Sequence, residues 1–314
     1  MQNKPKRHHY VSQGYMKKFI EQPNTLYVYD KETSRIRPTS PRSIAFENDF
    51  YTVDTISEKD SSEVEESLGK IESTAIPLIS ELISSDNLSN PNRADLAIYI
   101  AIQYGRTPRS KALMDELATV MTTNGVKQLI ADALNDETKY KELSDSITGG
   151  PEPHNMPSRE KLEEWVLKPG PMGKVSIDKG TYVKSFFENA SDIANGLLDS
   201  RWTVLIAPKN STFITSDNPI ALSVDRELRI GEMLAILLPG VKRYFPLDRK
   251  HCLLMYGAAN SKEVYKRKAN KAEVNFINNT LLEQSTRYTL SGNINLLEHT
   301  VRRSGLDILS VRTP

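Results

Sequence analysis

Two adjacent histidines, His8 and His9, stand between Lys6-Arg7 and Tyr10-Val11-Ser12, and this is where the residue types most clearly permit chemistry. Val11, Tyr15 and Phe19 recur every fourth position, which places them on one face of a short helix that Ser12 could cap or open. The histidines then precede a helix N-terminus, whose positive potential disfavours imidazolium. It favours the neutral ring that ligates metal or accepts a proton. Beside Lys6 and Arg7 the pair could equally form a solvated basic arm, or one ring could lie buried against a backbone carbonyl. In an extended segment the two rings point to opposite sides.

A second polar group follows an apolar strand pattern at Thr215-Ser216-Asp217-Asn218-Pro219. Pro219 pushes Asn218 toward extended geometry, so Asp217 sits at a sharp strand exit. A carboxylate there could ligate a divalent cation, orient a histidine or act as a base. It could also close an Asx-turn on its own backbone. Arg106 follows Leu96 to Ile102, a run apolar around the whole helical circumference and therefore buried. An arginine carried inward must meet a carboxylate or an outside anion, because it cannot shed its charge. It could also only cap helix carbonyls. Glu65 and Glu72, one heptad apart beside the stripe Val64, Leu68, Ile71, Ala75, Leu78 and Leu82, face either a site or solvent.

The elements that must position these residues read as α+β. The expected architecture is a helical middle region with a mainly antiparallel sheet, built from the C-terminal third and the N-terminal hairpin, in one compact unit spanning 1–314. Within it, 1–56 holds the hairpin, with Leu26-Tyr27-Val28-Tyr29 as its first strand and Ile36 opening the return. Residues 57–200 form the helical region, with Asn124-Gly125 as a break and the linker candidate Thr148 to Asn155, in which His154 reads as solvent-exposed. Residues 201–260 are β-rich, with a hairpin expected from Trp202–Ala207 through Pro208-Lys209-Asn210-Ser211 to Thr212–Thr215, and a further strand from Leu234 to Leu238. Residues 261–314 return to helix at 261–284, then 293–303, with a possible last strand at 307–311.

The 314 residues carry 41 Lys and Arg against 40 Asp and Glu, so no global basic field advertises nucleic acid, although a local patch remains open. The single cysteine, Cys252, excludes an internal disulfide and a multi-cysteine zinc site; it fits a reducing compartment and lies in an apolar run as a core residue. With neither a signal-peptide pattern nor an apolar run of spanning length, the reading is cytoplasmic, without a membrane partner.

The opening His8 to Phe19 resembles a bacterial family of unknown function, domain of unknown function four-two-three-eight. Its members typically begin with two histidines, a hydrophobic pair and proline, then a tyrosine, a hydrophobic residue and phenylalanine. Further likenesses fall at Phe50-Tyr51, Gln103-Tyr104-Gly105-Arg106-Thr107, Phe213 to Pro219 and Phe245-Pro246-Leu247. Ser12 stands where the family usually has proline; either residue suits a helix start. The resemblance implies no established activity, but it implies that His8, His9, Arg106, Ser216 and Asp217 converge.

The leading expectation is hydrolysis of phosphodiester bonds, most plausibly by a metal-assisted nuclease of bacterial anti-phage defence. His8, His9 and Asp217 are then the catalytic candidates, Arg106, Ser216 and Tyr10 contact substrate, and Mg²⁺ or Mn²⁺ is a candidate cofactor. Nucleic acid or a nucleotide is the implied partner. The alternative is a non-catalytic module that senses a small anionic ligand or a phage protein, and a third is a buried polar network that fixes the fold. The absence of a Gly-rich phosphate loop and of a serine elbow argues against a P-loop NTPase or an α/β-hydrolase. An open pocket joining a histidine to Asp217 would favour chemistry, and a closed, satisfied network would favour structure.

Overall fold

A computed structural model describes residues 7–21, 25–48, 58–85, 90–149, 155–224, 236–237, 240–259 and 263–311; at 58–63 and 90–91 the backbone alone is described. The expected motif at Phe50-Tyr51, His154 and most of the strand expected at Leu234 to Leu238 lie outside these residues; Ile236 and Leu237 form a helical turn. The chain divides into two compact units, one made of 1–111 with 178–314 and the other of 112–177.

In the first unit, strand β1 (Arg7–His9) pairs antiparallel with β4 (Phe46–Asn48), and between His9 and the hairpin the short helix α1 (Gln13–Met16) runs into a 3₁₀ turn at Lys17–Phe19. Val11, Tyr15 and Phe19 are fully buried, as their spacing requires. The hairpin β2 (Leu26–Asp30) and β3 (Arg35–Thr39) belongs to a five-stranded sheet ordered β12-β3-β2-β11-β6, with β6 at Thr215–Ser216, β11 at Tyr288–Ser291 and β12 at Ser310–Val311. A second five-stranded sheet is ordered β10-β5-β9-β8-β7, from β5 (Ser200–Ile206), β7 (Ala221–Val224), β8 (Val241–Pro246), β9 (His251–Ala258) and β10 (Val264–Lys268). The class is α+β with a helical middle. Both large sheets are mixed, because β10 runs parallel to β5 and β12 parallel to β3.

Helices α2 (Glu58–Ser84), α3 (Asn90–Gly105) and α7 (Lys179–Leu198) pack together beside these strands. Leu96, Ala97, Ile100 and Ala101 are inaccessible, as the all-round apolar pattern of α3 demands. Gly105 ends α3 where a β-carbon would stand 2.9 Å from that of Phe186, so only glycine lets α7 come this close. Helix α8 (Lys271–Gln284) serves both large sheets. Its Ile277 and Leu281 join Leu205, Phe213, Tyr244 and Cys252 in one core, and the neighbouring Leu282 joins Tyr27, Tyr29, Ile36 and, from α9 (Ile294–Arg303), Leu297 in another.

Three expectations need correction. Residues 202–215 form no hairpin: β5 pairs with β9 and β10, and the 207–214 loop carries the chain to β6 in the other sheet. The helix expected at 261–284 starts at Lys271, since Val264–Lys268 pairs with β5 and Asn270 caps the helix by accepting from the Glu273 amide at 2.8 Å. Helix α4 (Pro108–Leu134) runs unbroken through Asn124-Gly125; a helical glycine costs about 1 kcal/mol, which 27 residues of helix absorb.

The second unit holds most of α4 with α5 (Glu137–Thr148) and α6 (Arg159–Leu167). Asp136 and Ser158 cap the two shorter helices, and Asp115 and Thr119 of α4 accept the backbone amides of Ile177 and Val175.

Candidate functional site

Strand β1 sends its two imidazoles to opposite sides. His8 is buried, with Nε2 3.2 Å from Glu65 Oε1. His9 is half-buried, its Nδ1 3.4 Å from the Gln13 amide nitrogen and its ring tilted against Phe46. Burial lowers the His9 pKa below its ordinary value; the Arg42 carbonyl and Glu72 work against this, and Arg106 adds to it. The neutral ring expected from sequence therefore has a different main cause, which is desolvation.

Glu65 and Glu72 do not merely face solvent. Their heptad spacing sets both on one face of α2, and while Glu65 meets His8, Glu72 takes Arg106 Nη1 at 2.7 Å and the Ser12 hydroxyl at 2.9 Å. Ser12 thus spends its side chain on Glu72 and makes no cap bond to α1. Gln103, one turn before Arg106, accepts from Arg106 Nη2 at 2.6 Å and donates to the Tyr10 carbonyl at 2.8 Å. Arg106 is 1% exposed, and its charge is met from within the protein.

Asp217 and Ser216 are also fully buried, at the exit of β6. The Asp217 carboxylate accepts the amides of Thr286, Arg287 and Tyr288 at 2.8, 2.6 and 2.8 Å. It thereby ties down the turn that enters β11. Burial raises its pKa to about 6, against the lowering effect of those three amides and of Lys31. Ser216 donates to the Asn218 carbonyl at 2.7 Å and accepts from the Asn218 amide at 3.2 Å. Among the described residues, every hydrogen bond of the Asp217 carboxylate runs to 286–288 and none to His8 or His9. The Tyr10 carbonyl belongs to the Gln103 network, and burial first and Asp217 second push the residue's phenol pKa up.

A separate concavity lies elsewhere in the first unit. A cleft of about 580 Å³ is lined by Lys209, Arg249, Lys250 and Lys271, with Glu21 as its one carboxylate among the described residues. Its walls follow from local chemistry. Asp248 accepts the amides of Lys250 and His251 at 2.6 and 2.8 Å and sits 3.0 Å from His251 Nδ1, folding the β8–β9 turn so that Arg249 and Lys250 stand at its tip. The Lys250 ammonium donates to the Lys209 and Ser211 carbonyls at 3.0 and 2.7 Å and holds the 208–211 loop in place. Asn278, buried in α8, accepts from the Ile214 amide and donates to the Thr212 carbonyl. Arg249 pairs with Glu21 at 2.5 Å. Lys209 and Lys271 are exposed, and among the described residues their ammonium groups meet no carboxylate or carbonyl.

Sequence reasoning missed this cleft. Its cations come from two separate turns and a helix start, so no spacing links the three places; the local signals, Lys209-Asn210 and Arg249-Lys250, read as ordinary turns. Among the described residues no three of His, Cys, Asp and Glu gather, and His8 with Glu65 offers two donors.

The model of a protein family, the protein of unknown function DUF4238, matches residues 7–293. The chain belongs to this family. For this DUF4238 chain the match spans the His8–Arg106 network and the cations of the cleft, and ends at Asn293, so Asn295, Leu296 and His299 of the cleft fall beyond it. No curated protein and no solved structure matches the chain. Among the described residues no helix is long and apolar enough to cross a membrane.

Proposed function

We propose that this protein recognises a small anionic ligand without turning it over, and that the cleft between Lys209, Arg249 and Lys271 is where it binds. The observation that carries the reading is the charge of a concavity large enough for a small molecule: among the described residues, four cations against one carboxylate, in a chain whose formal net charge is +1. Among the described residues two of those cations, Lys209 and Lys271, have no carboxylate or carbonyl partner, so an anion would meet ammonium groups already in place. The starts of α8 and α9, at Lys271 and beside Asn293, add their positive ends to the same cleft. The polar network around Arg106 supports this division, because its charges are spent on one another. A cytoplasmic setting belongs to the same proposal, resting on the single buried thiol of Cys252.

The test is calorimetric titration of inorganic phosphate and pyrophosphate into the wild type and the Lys209→Glu/Lys271→Glu variant. The wild type should bind, more weakly as salt rises, and the charge reversal should reduce affinity by at least about 100-fold. Equal binding by both proteins would remove the cleft from the account.

A second reading, phosphodiester hydrolysis by a nuclease of a defence system, draws on one observation. His9 is a half-buried imidazole held neutral beside Glu72 and Arg106, the state a general base needs near pH 7. In that reading His9 accepts a proton and Arg106 would have to exchange Glu72 for substrate phosphate. Incubation with DNA, RNA and nucleotides in Mg²⁺ or Mn²⁺ should then show cleavage that His9→Ala abolishes and Lys271→Glu leaves intact.

A further inference from the structure

The lining of the cleft narrows what the anion is attached to, and on the binding reading above we infer that the ligand is a phosphorylated sugar or polyol, not a nucleotide or a nucleic acid strand. Four asparagines, Asn210, Asn275, Asn293 and Asn295, share the cleft with the cations, beside Ser211 and Thr212. A bare phosphate at neutral pH takes mainly donors, which ammonium groups, guanidinium and helix-start amides already supply. Carboxamides present a donor and an acceptor together, which is the pairing a hydroxyl needs. Asn293 uses its oxygen to cap α9 on the Leu296 amide at 3.0 Å, which leaves its NH₂ as donor. Among the described residues the side-chain amides of Asn210, Asn275 and Asn295 make no hydrogen bond, so their capacity is available at the cleft wall.

A nucleobase requires something that the described residues of this cleft do not supply. Recognition of bases, single-stranded or flipped out, relies on stacking against an aromatic face. Among the described residues the apolar lining here is Val274 and Leu296, with His299 as the one ring. The volume of about 580 Å³ suits a compact ligand within the range of small-molecule sites. Cations for the phosphate and side-chain amides for the hydroxyls, lining one cleft, together describe a phosphorylated polyol.

The experiment titrates five probes into the full chain: inorganic phosphate, glucose 6-phosphate, glucose, ribose 5-phosphate and adenosine 5′-monophosphate. Glucose 6-phosphate or ribose 5-phosphate should bind at least about tenfold tighter than inorganic phosphate and than glucose, because the hydroxyl contacts add to the phosphate contacts. Adenosine monophosphate should bind no tighter than ribose 5-phosphate. The Asn210→Ala/Asn295→Ala variant should lose the sugar preference and keep its affinity for inorganic phosphate, a readout that general misfolding would not give. If the nucleotide binds tightest, or if inorganic phosphate binds as well as both sugar phosphates, the ligand class is wrong while the anion-binding reading stands. If no phosphate-bearing probe binds, that reading itself fails, and this inference with it.

Discussion

Arg106 shows how a residue can be correctly singled out and still have either of two roles. An apolar helix announces that its C-terminal arginine goes inward, and the structure places it there at 1% exposure. What the sequence leaves open is the partner, and Glu72 supplies it from 34 residues away, with Gln103 completing the contact. Arg106→Ala should therefore destabilise the protein by about 3 kcal/mol, at the lower end of the cost of stranding one member of a buried pair because the Glu72 side chain still reaches solvent. Thermal melts with and without phosphate should show the same drop; a variant that melts like the wild type would return Arg106 to a ligand site. Two other groups make opposite contributions to the pH dependence. The lowered pKa of His9 stabilises the fold above its unfolded value near about 6.5, and this contribution is lost as pH falls through the folded value. The raised pKa of Asp217 does the reverse: its contribution is complete below about pH 3.9 and lost as pH rises through about 6. His9→Gln should flatten the acid side of the stability profile, and a carbon-13 NMR titration of the Asp217 carboxyl should give a midpoint of about 6; a midpoint near 4 would contradict the burial argument. Asp217 was legible as a residue with a task at a strand exit. The task itself was not, because it depends on amides 69 to 71 residues further along.

At the scale of elements, single close approaches decide what reaches the cleft. A β-carbon at Gly292 would stand 2.3 Å from the Phe19 carbonyl oxygen and 2.6 Å from the Glu21 amide nitrogen, so the turn between β11 and α9 presses on the backbone that carries Glu21. Both neighbours are backbone atoms and cannot swing aside. Gly292→Ala should cost about 1–3 kcal/mol by overpacking, read as a lower urea midpoint with unchanged slope. It should also weaken the Glu21–Arg249 pair and so alter anion affinity; unchanged stability would show that the segment yields freely. Elements with strong periodicity were legible: the stripe of α2, the buried α3 and the hairpin β2–β3. Those decided by distant pairing were not. Val264–Lys268 carries three basic residues and no clean alternation, and it becomes a strand because β5 offers an open edge. The loop after β5 has hairpin composition, yet it crosses to another sheet because Asn278 holds it to α8.

The molecule as a whole keeps nearly balanced charge while gathering cations in one concavity, so bulk composition could not reveal the cleft. The α+β class and the helical middle were readable from local patterns. The division of the strands into two large mixed sheets, with α8 serving both, rests on contacts between segments far apart in the chain. On the proposed function the cleft is the binding place, and the His9–Glu72–Arg106 group supports the fold. The most direct test is equilibrium binding of pyrophosphate to the wild type, Lys271→Glu and His9→Ala under one buffer and salt condition. His9→Ala should bind as the wild type does and Lys271→Glu at least about tenfold more weakly; the reverse order would place the ligand at the histidines and contradict the account.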